Sequence, residues 1–147
     1  MTEQATKDTA ELLKECEIGV KMALYAFEQV IDETKDEGLR KLLNDSRRDH
    51  ERLEKDVLEK LRKYREGEPE PPAMGRISAW VSTEVKLMLD DSNQKIAKII
   101  SEGCHMGINS LSHYMNEYRD AGGDCYDLCT QLIKMEQALM DDLRVYL

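Results

Sequence analysis

Proline is scarce in this chain of 147 residues, with only three, while glycine contributes eight and aromatic residues 5%. So little turn-forming and β-favouring material excludes a strand-rich domain. No apolar run approaches the roughly 20 residues needed to cross a bilayer, so no membrane partner is expected. Bases are outnumbered, 21 against 30 acids, for a net charge of −9. That balance lacks the clustered basic footprint of a general nucleic-acid binder. A glycine-rich phosphate loop, a nucleophile elbow and a Cys-x-x-Cys pair are all missing. No serine has a histidine and an acid at helical reach, so a serine triad has no support. Met1-Thr2-Glu3-Gln4-Ala5 does not read as a signal sequence, and the expected location is the cytoplasm.

What is present suits a helical domain. Hydrophobic residues make up 41% and charged residues 35%, enough for a core in one domain spanning residues 1–147. The four cysteines, Cys16, Cys104, Cys125 and Cys129, all fall within helical patterns, as expected of reduced thiols packed as small hydrophobes. Cys125 and Cys129 share a helix face, but zinc needs a second close ligand pair.

Apolar residues recur at intervals of three and four throughout. Leu13, Val20, Leu24, Phe27 and Ile31, flanked by Cys16, Ala23 and Val30, predict a helix over 7–35. Gly38 is expected to end it as a left-handed cap. Leu39, Leu43, His50, Leu53, Val57 and Leu61 carry a second helix over 39–65, whose other side is densely charged. Glu66 to Pro72 reads as a linker, because its prolines cannot continue a helix. Ile77, Trp80, Val81, Val85 and Met88 then predict a short helix over 75–89, with Trp80 packing it against its neighbours. Asp91 is the expected cap of a third helix over 92–120, carried by Ile96, Ile100, Gly103, Gly107, Leu111 and Tyr114. After Gly122-Gly123, Leu128, Leu132, Met135, Leu139 and Leu143 carry a fourth helix over 125–146.

The plan is all-α, an antiparallel four-helix bundle of two helical hairpins. Its long crossover, 66–91, contains the short extra helix. The second helix is about 40 Å long at 1.5 Å per residue. A ten-residue loop and a fifteen-residue helix can retrace that distance, so the third helix is expected to begin at the far end. An internal repeat agrees with two related hairpins. Cys16-Glu17-Ile18-Gly19-Val20 matches Cys104-His105-Met106-Gly107-Ile108 at an offset of 88, and His50 to Leu53 matches Glu136 to Leu139 at an offset of 86.

Two hairpins, one long crossover and a glycine at the same level of helices one and three resemble the ferritin-like superfamily. The likeness is to rubrerythrin-type and other small bacterial ferritin-like bundle proteins. It covers residues 8–147 and rests on architecture and spacing. Members with a di-iron centre carry Gly-Glu-x-x-Ala-x-x-x-Tyr on helices one and three and Glu-x-x-His on helices two and four. Two hard cations in a bundle core need several carboxylates and imidazoles at one level. Here the first motif reads Gly19-Val20, with Ala23 and Phe27 following. The second reads Gly107-Ile108, with Leu111 and Met115. The Glu-x-x-His positions read Arg47-Arg48-Asp49-His50 and Ile133-Lys134-Met135-Glu136. Val20, Arg47, Ile108 and Ile133 thus stand where the resemblance implies metal ligands, and the implied ferroxidase or peroxidase chemistry falls with them.

His50 and Glu136 remain, both in apolar stripes, with Cys16 and Cys104 nearly a turn before the lost glutamates. A buried carboxylate needs a partner, so His50 and Glu136 are expected to pair, fixing helix register. With one or both thiols they would instead form a mononuclear site suited to zinc or iron. Among other polar groups, His113 and Glu117 read as surface neighbours, His105 as a boundary residue, and Lys21 as a neighbour able to neutralise Glu17. The expected function is therefore a non-catalytic binding or assembly protein, able to form a homodimer, with no resident cofactor. A metal-binding protein or oxidoreductase built on His50, Glu136, Cys16 and Cys104 is the alternative. A carrier of a small ligand in an apolar cavity near the lost metal level is the third.

Overall fold

The computed structural model describes residues 1–64 and 92–147. The predicted linker, the 75–89 helix and the packing of Trp80 lie outside those residues. Four long helices make up the described fold: α1 (Glu3–Val30), α2 (Glu37–Lys63), α3 (Asn93–Glu117) and α4 (Gly123–Leu143). Three-residue 3-10 turns follow α1 at Ile31–Glu33 and α4 at Arg144–Tyr146. No helix among the described residues is long and apolar enough to cross a membrane.

Three of the four long helices start on a side-chain cap. Thr2 accepts from Ala5 N at 3.0 Å, which starts α1 several residues before the expected position 7. Asp36 accepts from Leu39 N at 2.8 Å and caps α2. Gly38 therefore lies in the first turn of α2 and is not the stop of α1. A Cβ there would meet Tyr146 Oη at 2.7 Å, so the tyrosine tip packs over this glycine. Ser92, not Asp91, caps α3 by accepting from Lys95 N at 3.2 Å. The last helix begins at Gly123, with Gly122 as its cap.

Two core clusters fix the helix directions. At one end, Leu12, Leu13 and Cys16 of α1 pack with Leu53, Val57 and Leu61 of α2, Leu111 of α3, and Cys125, Leu128 and Cys129 of α4. At the other, Phe27 and Val30 of α1 pack with Leu39 and Leu43 of α2, Ile96 and Ile100 of α3, and Leu139 and Leu143 of α4. Each cluster combines the start of one hairpin helix with the end of its neighbour, so α1 and α2 are antiparallel, as are α3 and α4. The end of α2 lies at one end of the bundle and the start of α3 at the other, so α2 and α3 run in the same direction.

Polar contacts lock the first end. Thr9 Oγ1 accepts from Gly122 N at 2.8 Å, and Asp8 accepts from Asp120 N at 3.3 Å. Both ties join the start of α1 to the α3–α4 turn. Tyr126 Oη donates to the Met115 carbonyl, closing the same turn.

Candidate functional site

Mid-height in the bundle, His50 on α2 faces Glu136 on α4. Nε2 of His50 lies 2.9 Å from Glu136 Oε1, and Nδ1 lies 2.7 Å from the Ser46 carbonyl. The histidine is 1% exposed and the glutamate 6%. The Phe27 ring meets the imidazole edge-on, centroids 5.1 Å apart.

A carbonyl only accepts, so Nδ1 carries a hydrogen and donates it to Ser46. The contact with Glu136 then holds one further proton, carried by Nε2 as an imidazolium or by Oε1 as a carboxylic acid. Burial opposes the cation at His50. The hydrogen bond to Glu136, the charge of Glu136, the Ser46 carbonyl and the charge of Asp49 together outweigh burial, and the pKa of His50 stands above the ordinary histidine value. That direction favours the imidazolium–carboxylate form of the pair, an ionic bridge anchored at Ser46.

No protein-family model, curated protein or solved structure matches the chain. The residues alone therefore carry the functional argument.

The sequence candidates do not all converge. Cys104 lies beside Glu136: burial first, then the charge and hydrogen bonding of that carboxylate, push its thiol far up, so it stays protonated. Cys16 belongs to the other core cluster, beside Cys129. The two hairpins explain this divergence. A twofold rotation that reverses α1 onto α3 and α2 onto α4 has its axis across the bundle. Equivalent residues near the axis, His50 and Glu136, meet; equivalent residues away from it, Cys16 and Cys104, move to opposite ends. Sequence spacing reported their level on each helix and not the side of the axis.

Cys16, Cys129 and Cys125 form a chain of thiols that sequence reasoning did not assemble. Cys125 Sγ donates to the Thr9 carbonyl at 3.7 Å. Its pKa is raised by the hydrogen bond with Cys129 and then by burial. At Cys129 the bond from Cys125 lowers the pKa, but the bond to Cys16 and burial raise it further. With their pKa values pushed up, Cys125 and Cys129 are poor nucleophiles, since the thiolate is the attacking form. Among the described residues no group of three or more His, Cys, Asp or Glu is placed to hold a metal ion.

The four positions at which the resemblance implies ligands separate as well. Val20 is buried in the core. Arg47 sits on the flank of α2, its Nε 3.6 Å from Glu51. Ile108 and Ile133 line a pocket of about 420 Å³ between α1 and α3, floored by Leu132, Ile133 and Glu136 of α4. The space exists because Gly19, Ala23 and Ala26 of α1 face Gly103 and Gly107 of α3. A Cβ built at Gly103 or Gly107 meets no atom of the described residues within 4 Å. The signal for this pocket was legible as small residues four apart, Gly19 with Ala23 and Gly103 with Gly107. Away from it, His113 and Glu117 are an exposed pair at 3.3 Å, and His105 is exposed.

Proposed function

We propose that this chain is a non-catalytic binding protein, a ferritin-like bundle whose di-iron ligand positions have been given over to apolar packing, and that it carries a small, mainly apolar molecule between α1 and α3. The observation that carries this reading is the pocket of about 420 Å³ at the level of Gly19, Gly107 and Ile133. Its volume lies within the range of small-molecule sites, which are concave, mostly apolar and furnished with a few polar groups. The parallel course of α2 and α3 supports the ferritin-like part of the reading, because that topology requires one long crossover.

Two buried groups favour carriage over chemistry. Cys104 is protonated and therefore weakly nucleophilic, and His50 has both ring nitrogens engaged. The test is binding of the environment-sensitive dye 1-anilinonaphthalene-8-sulfonate to the native protein and to Gly107→Leu. Position 107 lines the pocket, and a Cβ there meets no atom of the described residues within 4 Å. One saturable site in the native protein, lost in the folded variant, is the expected result. Equal binding by both, or none by the native protein, overturns the reading.

A further inference from the structure

The floor of the α1–α3 pocket carries a selectivity that the apolar walls do not. Glu136 lines the pocket and is 94% enclosed, being 6% exposed. Its contact with His50 holds a single proton between Oε1 and Nε2. That proton lies on the same edge of the carboxyl whichever group carries it. The remaining carboxyl oxygen, Oε2, is consequently an acceptor in both protonation states.

The neighbouring donor is Cys104, whose S–H is held protonated by burial and by Glu136. A thiol is a weak donor, so a hydroxyl brought to the same carboxylate makes the stronger bond. An acceptor-only ligand finds at the floor only the weak thiol donor of Cys104, the hydroxyls of Ser110 and Tyr114 belonging to the α3 wall, and a ligand carboxylate meets the charge of Glu15, which also lines the pocket. An ammonium would bury a second cation next to His50, whose imidazolium already neutralises Glu136.

We propose that the pocket takes a neutral aliphatic alcohol, with its chain along Ile99, Ile108 and Ile133 and its hydroxyl donating to Glu136. The proposal rests on the pocket being a ligand site at all. At about 30 Å³ for each water-sized unit, the volume holds roughly a dozen non-hydrogen atoms. That is the size of a medium-chain alcohol.

The experiment is calorimetric titration with 1-octanol, its isomer 1-methoxyheptane and octanoate. The two isomers share formula and length and differ in having a donor. Native protein, Glu136→Met and Gly107→Leu are compared. Native protein should bind the alcohol about tenfold or more tighter than the ether, and octanoate more weakly than either. Glu136→Met should keep the ether and lose the preference; if this variant does not fold, the comparison of isomers on native protein decides alone. Equal affinity for alcohol and ether, both abolished by Gly107→Leu, overturns the alcohol assignment and leaves the pocket as a ligand site. Absence of binding by every probe, or binding that Gly107→Leu leaves unchanged, overturns both. So does concentration-dependent dimerisation that Gly107→Leu prevents, because the groove is then an interface between copies.

Discussion

His50 and Glu136 occupy equivalent positions in the two hairpins, 86 residues apart, and meet at 2.9 Å near the axis that relates them. Neither can be removed alone without leaving the other in a medium that penalises its charge. His50→Ala is expected to lower unfolding stability by about 3–5 kcal/mol, read from urea titration. Replacing both with apolar residues, His50→Leu with Glu136→Leu, should recover most of that loss. A single variant as stable as the native protein would show that the pair carries no buried charge.

The raised pKa of His50 sets the direction of the pH response. The folded protein holds this proton more tightly than the unfolded chain, whose histidine titrates near pH 6.5. Stability from the pair is thus complete below about pH 6.5 and is lost as pH rises through the folded value. Urea midpoints measured from pH 6 to 9 should fall for native protein more steeply than for His50→Gln. Parallel curves would count against the ionic bridge.

All four thiols are buried, and three of them have pKa values pushed well up. A disulfide-exchange reagent such as DTNB is expected to find almost no reactive thiol within minutes at pH 8, and all four in guanidinium. Prompt modification of Cys16, Cys125 or Cys129 in folded protein would contradict the packing of that end.

Thr9 makes two backbone hydrogen bonds through one hydroxyl, donating to the Ala5 carbonyl at 2.6 Å and accepting from Gly122 N at 2.8 Å. Thr9→Val keeps the shape and removes both. It should cost about 1–2 kcal/mol, with Thr9→Ser retaining most of the stability. Chemical denaturation of the two variants side by side distinguishes loss of a hydrogen bond from loss of a methyl contact.

Much of the fold was legible because its signals are local. The 3- and 4-residue recurrence of Leu39, Leu43, Leu53, Val57 and Leu61 is a property of one helix, and all five are buried on one side. Cap identity was less legible, since Asp91 and Ser92 are both good caps and the choice depends on which side chain reaches Lys95 N. Gly38 misled for a similar reason: the atom nearest its missing side chain is the hydroxyl of Tyr146, more than a hundred residues away. At the site, the pairing of His50 with Glu136 followed from their polar character within apolar stripes. The assembly of Cys16 with Cys129, and its distance from Cys104, depended on how two helices are turned about an axis, which no single helix encodes.

The tie between Thr9 and Gly122 spans 113 residues of sequence. Closing a loop of that length costs entropy before the contact returns any stabilisation. The hairpins, held by contacts close in sequence, are therefore the units expected to gain structure early, and the Thr9–Gly122 clasp is the late event. Weakening it at Thr9 should speed unfolding while leaving the folding rate nearly unchanged. The same few atoms that fasten the end of the bundle thereby govern how long the native state persists, a kinetic duty assigned to a hydroxyl at the edge of the core.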